Sequence, residues 1–150
     1  MRGGPTLNPK LIIGWPESQF ISLEVLYRRY PSDSFDGNWL ETDIVVESGT
    51  CHGKYRATIL VQDFEAFRDR IALLTETWDG TALFDPMEPW IQIKLTGNGG
   101  TEIRVSGEAD HPCGMGKTLP FSMSISSSEL PGIIKMLDDI LVRYPAVGML

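Results

Sequence analysis

The chain has 150 residues and a mass of 16.7 kDa, with 42% hydrophobic and 22% charged residues. That apolar supply is what a disordered chain lacks, and the length suits one domain around one core. Twenty acids against thirteen bases leave a formal charge of -7, which argues against nucleic acid as a partner, because binding a phosphate backbone requires clustered Lys and Arg. No segment approaches the about 18 apolar residues of a membrane helix, and Met1-Arg2-Gly3-Gly4-Pro5 lacks the apolar core of a secretory signal, so a cytoplasmic protein with no membrane partner is expected.

The first periodic segment runs from Gln19 to Arg28, where Ile21, Leu23, Val25 and Tyr27 alternate with the intervening residues at the two-residue period of a strand. A turn-rich stretch, Pro31 to Asn38, follows. Trp39 to Ser48 is a second strand, with Leu40, Thr42, Ile44 and Val46 on one side and Trp39, Glu41, Asp43, Val45 and Glu47 on the other, the wetter side. Cys51 to Val61 is a third, with Tyr55, Ala57, Ile59 and Val61 facing together. Parity sets the register of these two. Even-numbered inward residues meet odd-numbered ones only across an even loop, and Gly49-Thr50 supplies two residues, with glycine placed for a type II′ turn. Ile44 should then oppose Tyr55, Leu40 oppose Ile59, and Asp43 oppose Arg56.

From Asp63 the period becomes helical, with Phe64, Phe67, Ile71, Leu74 and Trp78 on one stripe and Asp79-Gly80 as the stop. Strands return at Trp90 to Thr96 and Thr101 to Glu108. Both inward sets are odd-numbered, so the hairpin around Gly97-Asn98-Gly99-Gly100 must hold an odd number of loop residues, three or five. Leu119, Phe121, Met123 and Ile125 give another strand, and Pro120 within it predicts an edge position or a bulge, since proline cannot donate to a ladder. Ser126-Ser127-Ser128-Glu129 is a helix start, the stripe Leu130, Ile133, Ile134, Leu137, Ile140 and Leu141 is the helix face, and Tyr144-Pro145 is its end.

The expected fold is therefore α+β: one domain over 1–150, a two-layer, mainly antiparallel sheet of about six to seven strands with two helices on one face, in the order β-β-β-α-β-β-β-α. The uncovered sheet face would carry Trp39, Glu41, Asp43, Glu47, Lys54 and Arg56, a composition fit for solvent or for a partner.

Motifs for catalysis are missing. Gly116-Lys117-Thr118 copies the end of a phosphate-binding loop, but His111 stands where the earlier glycine belongs and a strand follows where a helix is needed. Gly97, Gly99 and Gly100 join two strands, and Glu102 occupies the last glycine position of a dinucleotide fingerprint. Cys51, His52, His111 and Cys113 offer the ligand number of a structural zinc. Cys51 and His52 are strand neighbours pointing to opposite faces, however, and the spacing is not a zinc spacing. Two cysteines are too few for a disulfide scaffold, although one bridge stays open. There is no Gly-x-Ser-x-Gly elbow, and the carboxylate pairs Glu41/Asp43 and Asp138/Asp139 show no desolvating pocket of the kind acid/base catalysis needs. No cofactor, metal or enzymatic activity is expected. Charge is distributed unevenly: five acids and no Lys or Arg lie between Pro31 and Gly53, and four acids with none between Ile71 and Ile93, which suits either ordinary acidic solubility or an acidic surface steering a basic protein.

A longer succession of words is more specific. Asp36-Gly37-Asn38-Trp39-Leu40, Gly53-Lys54-Tyr55-Arg56-Ala57, Asp63-Phe64-Glu65-Ala66-Phe67, Met87-Glu88-Pro89-Trp90 and Leu95-Thr96-Gly97-Asn98-Gly99 come in that order. His111-Pro112, Leu130-Pro131 and Arg143-Tyr144-Pro145 continue the series. Together they resemble the WapI family of immunity proteins over Phe35 to Pro145. The resemblance implies a small bacterial cytoplasmic protein that binds and neutralises the toxin domain of a polymorphic secreted system, in the named case a tRNA-cleaving nuclease. On that reading the chain is a non-catalytic binding protein whose surface for a basic toxin domain is Asp36, Trp39, Glu41, Asp43 and Glu47, with Trp39 as aromatic anchor. The alternative is a small-ligand or regulatory module with a pocket between sheet and helices.

Overall fold

The computed structural model describes residues 7–49, 51–110 and 118–148, and the side chains of Cys51, Asp110, Thr118 and Leu119 are not described. The elements are β1 (Lys10–Gly14), β2 (Phe20–Arg28), β3 (Trp39–Ser48), β4 (Cys51–Leu60), α1 (Val61–Thr77), β5 (Asp79–Phe84), β6 (Ile91–Asn98), β7 (Glu102–Asp110), β8 (Thr118–Ser126) and α2 (Leu130–Arg143). The α+β class, the antiparallel pairing and the strands-helix-strands-helix order agree with the sequence reading. Among the described residues the strands number eight, because β1 and β5 join those read from the sequence, and they divide into two sheets, β1-β2-β3-β4 and β5-β6-β7-β8.

The β3-β4 hairpin has the register that parity demands: Ile44 opposes Tyr55, Leu40 opposes Ile59 and Asp43 opposes Arg56. Gly49 turns the chain at φ +59°, a conformation costly for any side chain with a Cβ. The β6-β7 loop is the three residues 99–101, an odd number as expected. β8, which carries Pro120, is an edge strand.

In β2 the alternation breaks. Val25 pairs with Thr42 but Tyr27 pairs with Glu41, so a bulge lies between Val25 and Tyr27 and flips the residues beyond it to the opposite face. Ile21, Leu23 and Val25 are buried as expected, whereas Tyr27, read as their continuation, is 52% exposed.

α1 begins without a side-chain cap as β4 passes directly from extended Leu60 into helix, one or two residues before the start expected at Gln62 or Asp63. It ends at Trp78, which adopts a left-handed conformation (φ 60°) instead of extending the helical stripe. The Trp78 N–H donates to the Leu74 carbonyl (2.7 Å) and its own carbonyl accepts from the Gly99 N–H (2.6 Å). Gly97 permits this approach, since a Cβ there would fall 2.5 Å from the Trp78 oxygen. Before α2, the Ser126 hydroxyl accepts from the Ser128 N–H and caps a single 3-10 turn, and Pro131 opens the helix where its missing N–H costs nothing.

Each helix finds its main strand neighbour in the other sheet. α1, which follows the first four strands, packs along β5; α2, which follows the second four, packs along β1 and against α1. Arg68 and Asp138 pair between the helices (Nε to Oδ1, 2.8 Å). The buried apolar residues of both sheets and both helices form one cluster. Within it, Phe84 of β5 sits against two rings of α1, with centroids 5.6 Å from Phe64 and 5.1 Å from Phe67. Beyond α2 the chain is fastened across β2 and the turn before β3. The Tyr144 hydroxyl donates to the Leu26 carbonyl (3.1 Å), Arg28 Nη2 to the Pro145 carbonyl (2.6 Å), and Asn38 exchanges hydrogen bonds with the Val147 backbone (2.8 and 2.9 Å).

Candidate functional site

An open cleft of about 460 Å³ lies where the outer face of β3 and β4 meets the end of β2 and the connection between β5 and β6; it is lined by Arg29, Tyr30, Trp39, Glu41, Arg56, Ala57, Thr58, Glu88 and Trp90. The sequence places these groups by simple rules. Odd-numbered β3 residues face outward, which sets Trp39, Glu41 and Asp43 in a row. The register brings Thr58 opposite Glu41 and Arg56 opposite Asp43 from β4. The bulge after Val25 turns the end of β2 outward, and the Arg29 N–H bonds to the Trp39 carbonyl (2.9 Å), which fixes Arg29 beside that row. The β5-β6 connection closes the far wall by gripping β4: the Tyr55 hydroxyl donates to the Trp90 carbonyl (2.6 Å) and the Thr58 hydroxyl to Glu88 Oε1 (3.3 Å).

Glu41 is the hub. Its side chain is only 6% exposed; Arg29 Nη1 donates to Oε2 at 3.0 Å and Arg56 Nη1 stands 3.6 Å from Oε1. Arg56 Nε also donates to Asp43 Oδ1 at 2.6 Å. Arg29 Nε donates to the Tyr30 hydroxyl (3.1 Å), and its guanidinium lies over the Tyr30 ring, 5.5 Å from the centroid. The Tyr30 hydroxyl and then the Glu41 carboxylate raise the Arg29 pKa, and Asp43 raises that of Arg56, so both guanidiniums stay charged at any ordinary pH. The Trp90 indole nitrogen is out of solvent and has no partner among the described residues.

Of the five residues read as a partner surface, Trp39 and Glu41 line this cleft and Asp43 borders it through Arg56. Asp36 lies in the 3-10 turn before β3, exposed, its N–H donating to Asp33 Oδ1 (2.6 Å), which also accepts from Phe35 (2.8 Å). Those two backbone N–H groups hold the Asp33 carboxyl below its ordinary pKa. Glu47 sits at the far end of β3, where His52 Nδ1 meets its Oε2, roughly 26 Å along the strand from Trp39 at about 3.3 Å per residue.

The outer face is less acidic than the local count of acids suggested. Every acid on the outer face of β3 has a basic neighbour: Glu41 has Arg29 and Arg56, Asp43 has Arg56, and Glu47 has His52. Nor is Glu41 on a wet surface, since the two guanidiniums cover it. Arg29, Tyr30, Thr58, Glu88 and Trp90 were not read as site residues. Arg29 and Tyr30 arrive from a bulged strand end and Glu88 and Trp90 from another sheet's connection, neither of which is visible in strand periodicity, whereas Thr58 stands on β4 opposite Glu41, where parity alone puts it on the outer face.

Among the metal candidates, His52 is exposed and paired with Glu47, the Cys51 side chain is not described, and His111 and Cys113 lie outside the described residues. No group of three or more His, Cys, Asp or Glu side chains able to hold a metal occurs among the described residues. Thr118 of the Gly116-Lys117-Thr118 sequence starts β8, a strand. No helix is long and apolar enough to cross a membrane among the described residues.

A cleft on a sheet face lined by arginine and aromatic side chains has the make-up of a binding surface. The chain belongs to the immunity protein WapI-like family, whose model matches residues 11–145 and so takes in β1 and β2 as well as the segment from Phe35 onward. No curated protein matches it. Among solved structures it is similar to a chain from "Crystal structures of trypanosoma bruciei MRP1/MRP2", with 13% identity and a TM-score of 0.49 over 91% of this chain and 86% of that one.

Proposed function

We propose that the protein is a non-catalytic immunity protein that neutralises a toxin domain by binding it directly, acting as one folded domain in the bacterial cytoplasm, and that the cleft on the outer face of β3 and β4 is where the toxin docks. Family membership supports the immunity role. The observation that carries the site is the cleft's lining: two arginines, two tryptophans and a tyrosine gathered on one face, the side chains that dominate the energetics of protein interfaces. A net charge of -7 suits a toxin of opposite sign, drawn in at long range and slowed by salt; a nuclease that handles nucleic acid fits that description.

The test is co-expression with the C-terminal domain encoded directly upstream of this gene. Wild-type protein should restore growth and form a complex with the purified domain, and Trp39→Ala should weaken it about 30-fold, the scale of one aromatic hot spot, with an unchanged melting temperature. A complex of undiminished affinity would remove the cleft, and continued toxicity with no complex would remove the immunity role for that toxin. The cleft volume also falls in the size range of small-molecule sites. A ligand retained in native mass spectrometry would favour that second reading.

A further inference from the structure

The cleft presents its charges unequally. Glu41 is buried to 6% exposure with Arg29 on one carboxylate oxygen and Arg56 near the other, whereas the side chains of Arg29 and Arg56 are 51% and 46% exposed. A visitor therefore meets guanidinium edges before it meets the carboxylate. Each guanidinium has five N–H groups. Arg29 commits Nε to Tyr30 and Nη1 to Glu41, and Arg56 commits Nε to Asp43 and turns Nη1 to Glu41. The Nη2 groups of both have no acceptor among the described residues. The remaining charged lining residue, Glu88, stands on the opposite wall and accepts from Thr58. On the arginine side, unused capacity is thus donor capacity, set beside the Tyr30 and Trp39 rings.

From this arrangement we infer that the anchor the cleft receives is a carboxylate, the side chain of an Asp or Glu on the toxin. The inference rests on the docking reading above and names the chemistry of the contact. A guanidinium N–H donates a charge-assisted hydrogen bond to a carboxylate oxygen, one from each Nη2, and the apolar stem of the incoming side chain lies against the flanking rings. A lysine or arginine would instead face two like charges and a carboxylate already engaged. The toxin is then basic as a whole, which governs approach, and acidic at its anchor, which governs fit.

Two experiments on the full chain test this. In the first, N-acetyl-glutamate methylamide and N-acetyl-lysine methylamide are titrated separately at low salt while the arginine Nε–H and tryptophan indole resonances are followed. The acidic probe should shift Arg29, Arg56 and Trp39 saturably, and Arg56→Gln should weaken it about tenfold; saturation by the lysine probe instead, or by neither, overturns the inference. In the second, surface acids of the upstream-encoded toxin domain are replaced singly by their amides. One should cost at least about tenfold in affinity, and that cost should vanish against Arg56→Gln. Sensitivity to Trp39→Ala with no sensitive acid overturns the carboxylate and leaves the docking site; indifference to Trp39→Ala overturns the docking site itself.

Discussion

Phe84→Ala probes the junction that holds α1 to the second sheet. Phe84 is fully buried, and its ring meets Phe64 and Phe67 one turn apart on α1. Truncation removes the transfer free energy of a whole ring and leaves a cavity between a helix and a strand, for which Phe→Ala changes cost about 3–5 kcal/mol. Both aromatic contacts go at once, each worth about 0.5–1.5 kcal/mol beyond burial, so the upper half of that range, about 4–5 kcal/mol, is expected. Against a total of about 5–15 kcal/mol for a domain, that is a large share, and the melting temperature should fall by roughly 8–20 °C at about 2–4 °C per kcal/mol. Phe84→Leu fills most of the space and should cost about 1.5 kcal/mol. Urea denaturation followed by circular dichroism gives these values, and a cycle combining Phe64→Leu with Phe84→Leu isolates the ring contact. A loss under about 1.5 kcal/mol for Phe84→Ala, or strict additivity in the cycle, would refute the claim that these rings fasten helix to strand.

Gly49→Val should lower stability by about 1–2 kcal/mol through backbone strain at φ +59°; a Cβ there would touch nothing, so an unchanged urea midpoint would contradict the turn. Asp63, half-buried in the first turn of α1, has its pKa raised, first by burial and further by Asp85, against hydrogen bonds from backbone N–H groups and the charge of Arg70. The folded state then holds this proton more tightly than the unfolded one. Stability from this group is greatest below the ordinary value of 3.8 and is lost as pH rises from there through the higher native value. Asp63→Asn should therefore gain on wild type as pH climbs through that interval, measured as paired denaturation midpoints, and a pH-independent difference would disprove it.

The β3-β4 hairpin was legible because two strands of clean alternation and a two-residue loop leave one register that buries Leu40, Ile44, Tyr55 and Ile59 together. α2 was legible for a similar reason, its stripe closing on Leu130, Ile133, Leu137 and Ile140. β5 was not, since Asp79-Gly80 after a helix reads as a stop and only Ala82 and Phe84 mark the strand. Alternation states which face a residue takes and says nothing of which sheet a strand joins, so the division into two sheets was out of reach. Of the cleft, Trp39 and Glu41 could be found by parity. Arg29 could not, because without the bulge it would point inward with Val25.

The reciprocal placement of the helices has a consequence for the chain as an assembly. Each half lends its helix to the other: α1 covers β5, and α2 returns to cover β1. Severed near Trp78, the halves would each expose an apolar stripe and an unroofed strand, and neither should persist alone. Mixed, they should reassemble by fragment complementation, and two intact copies at high concentration could trade halves in the same way to form an intertwined pair.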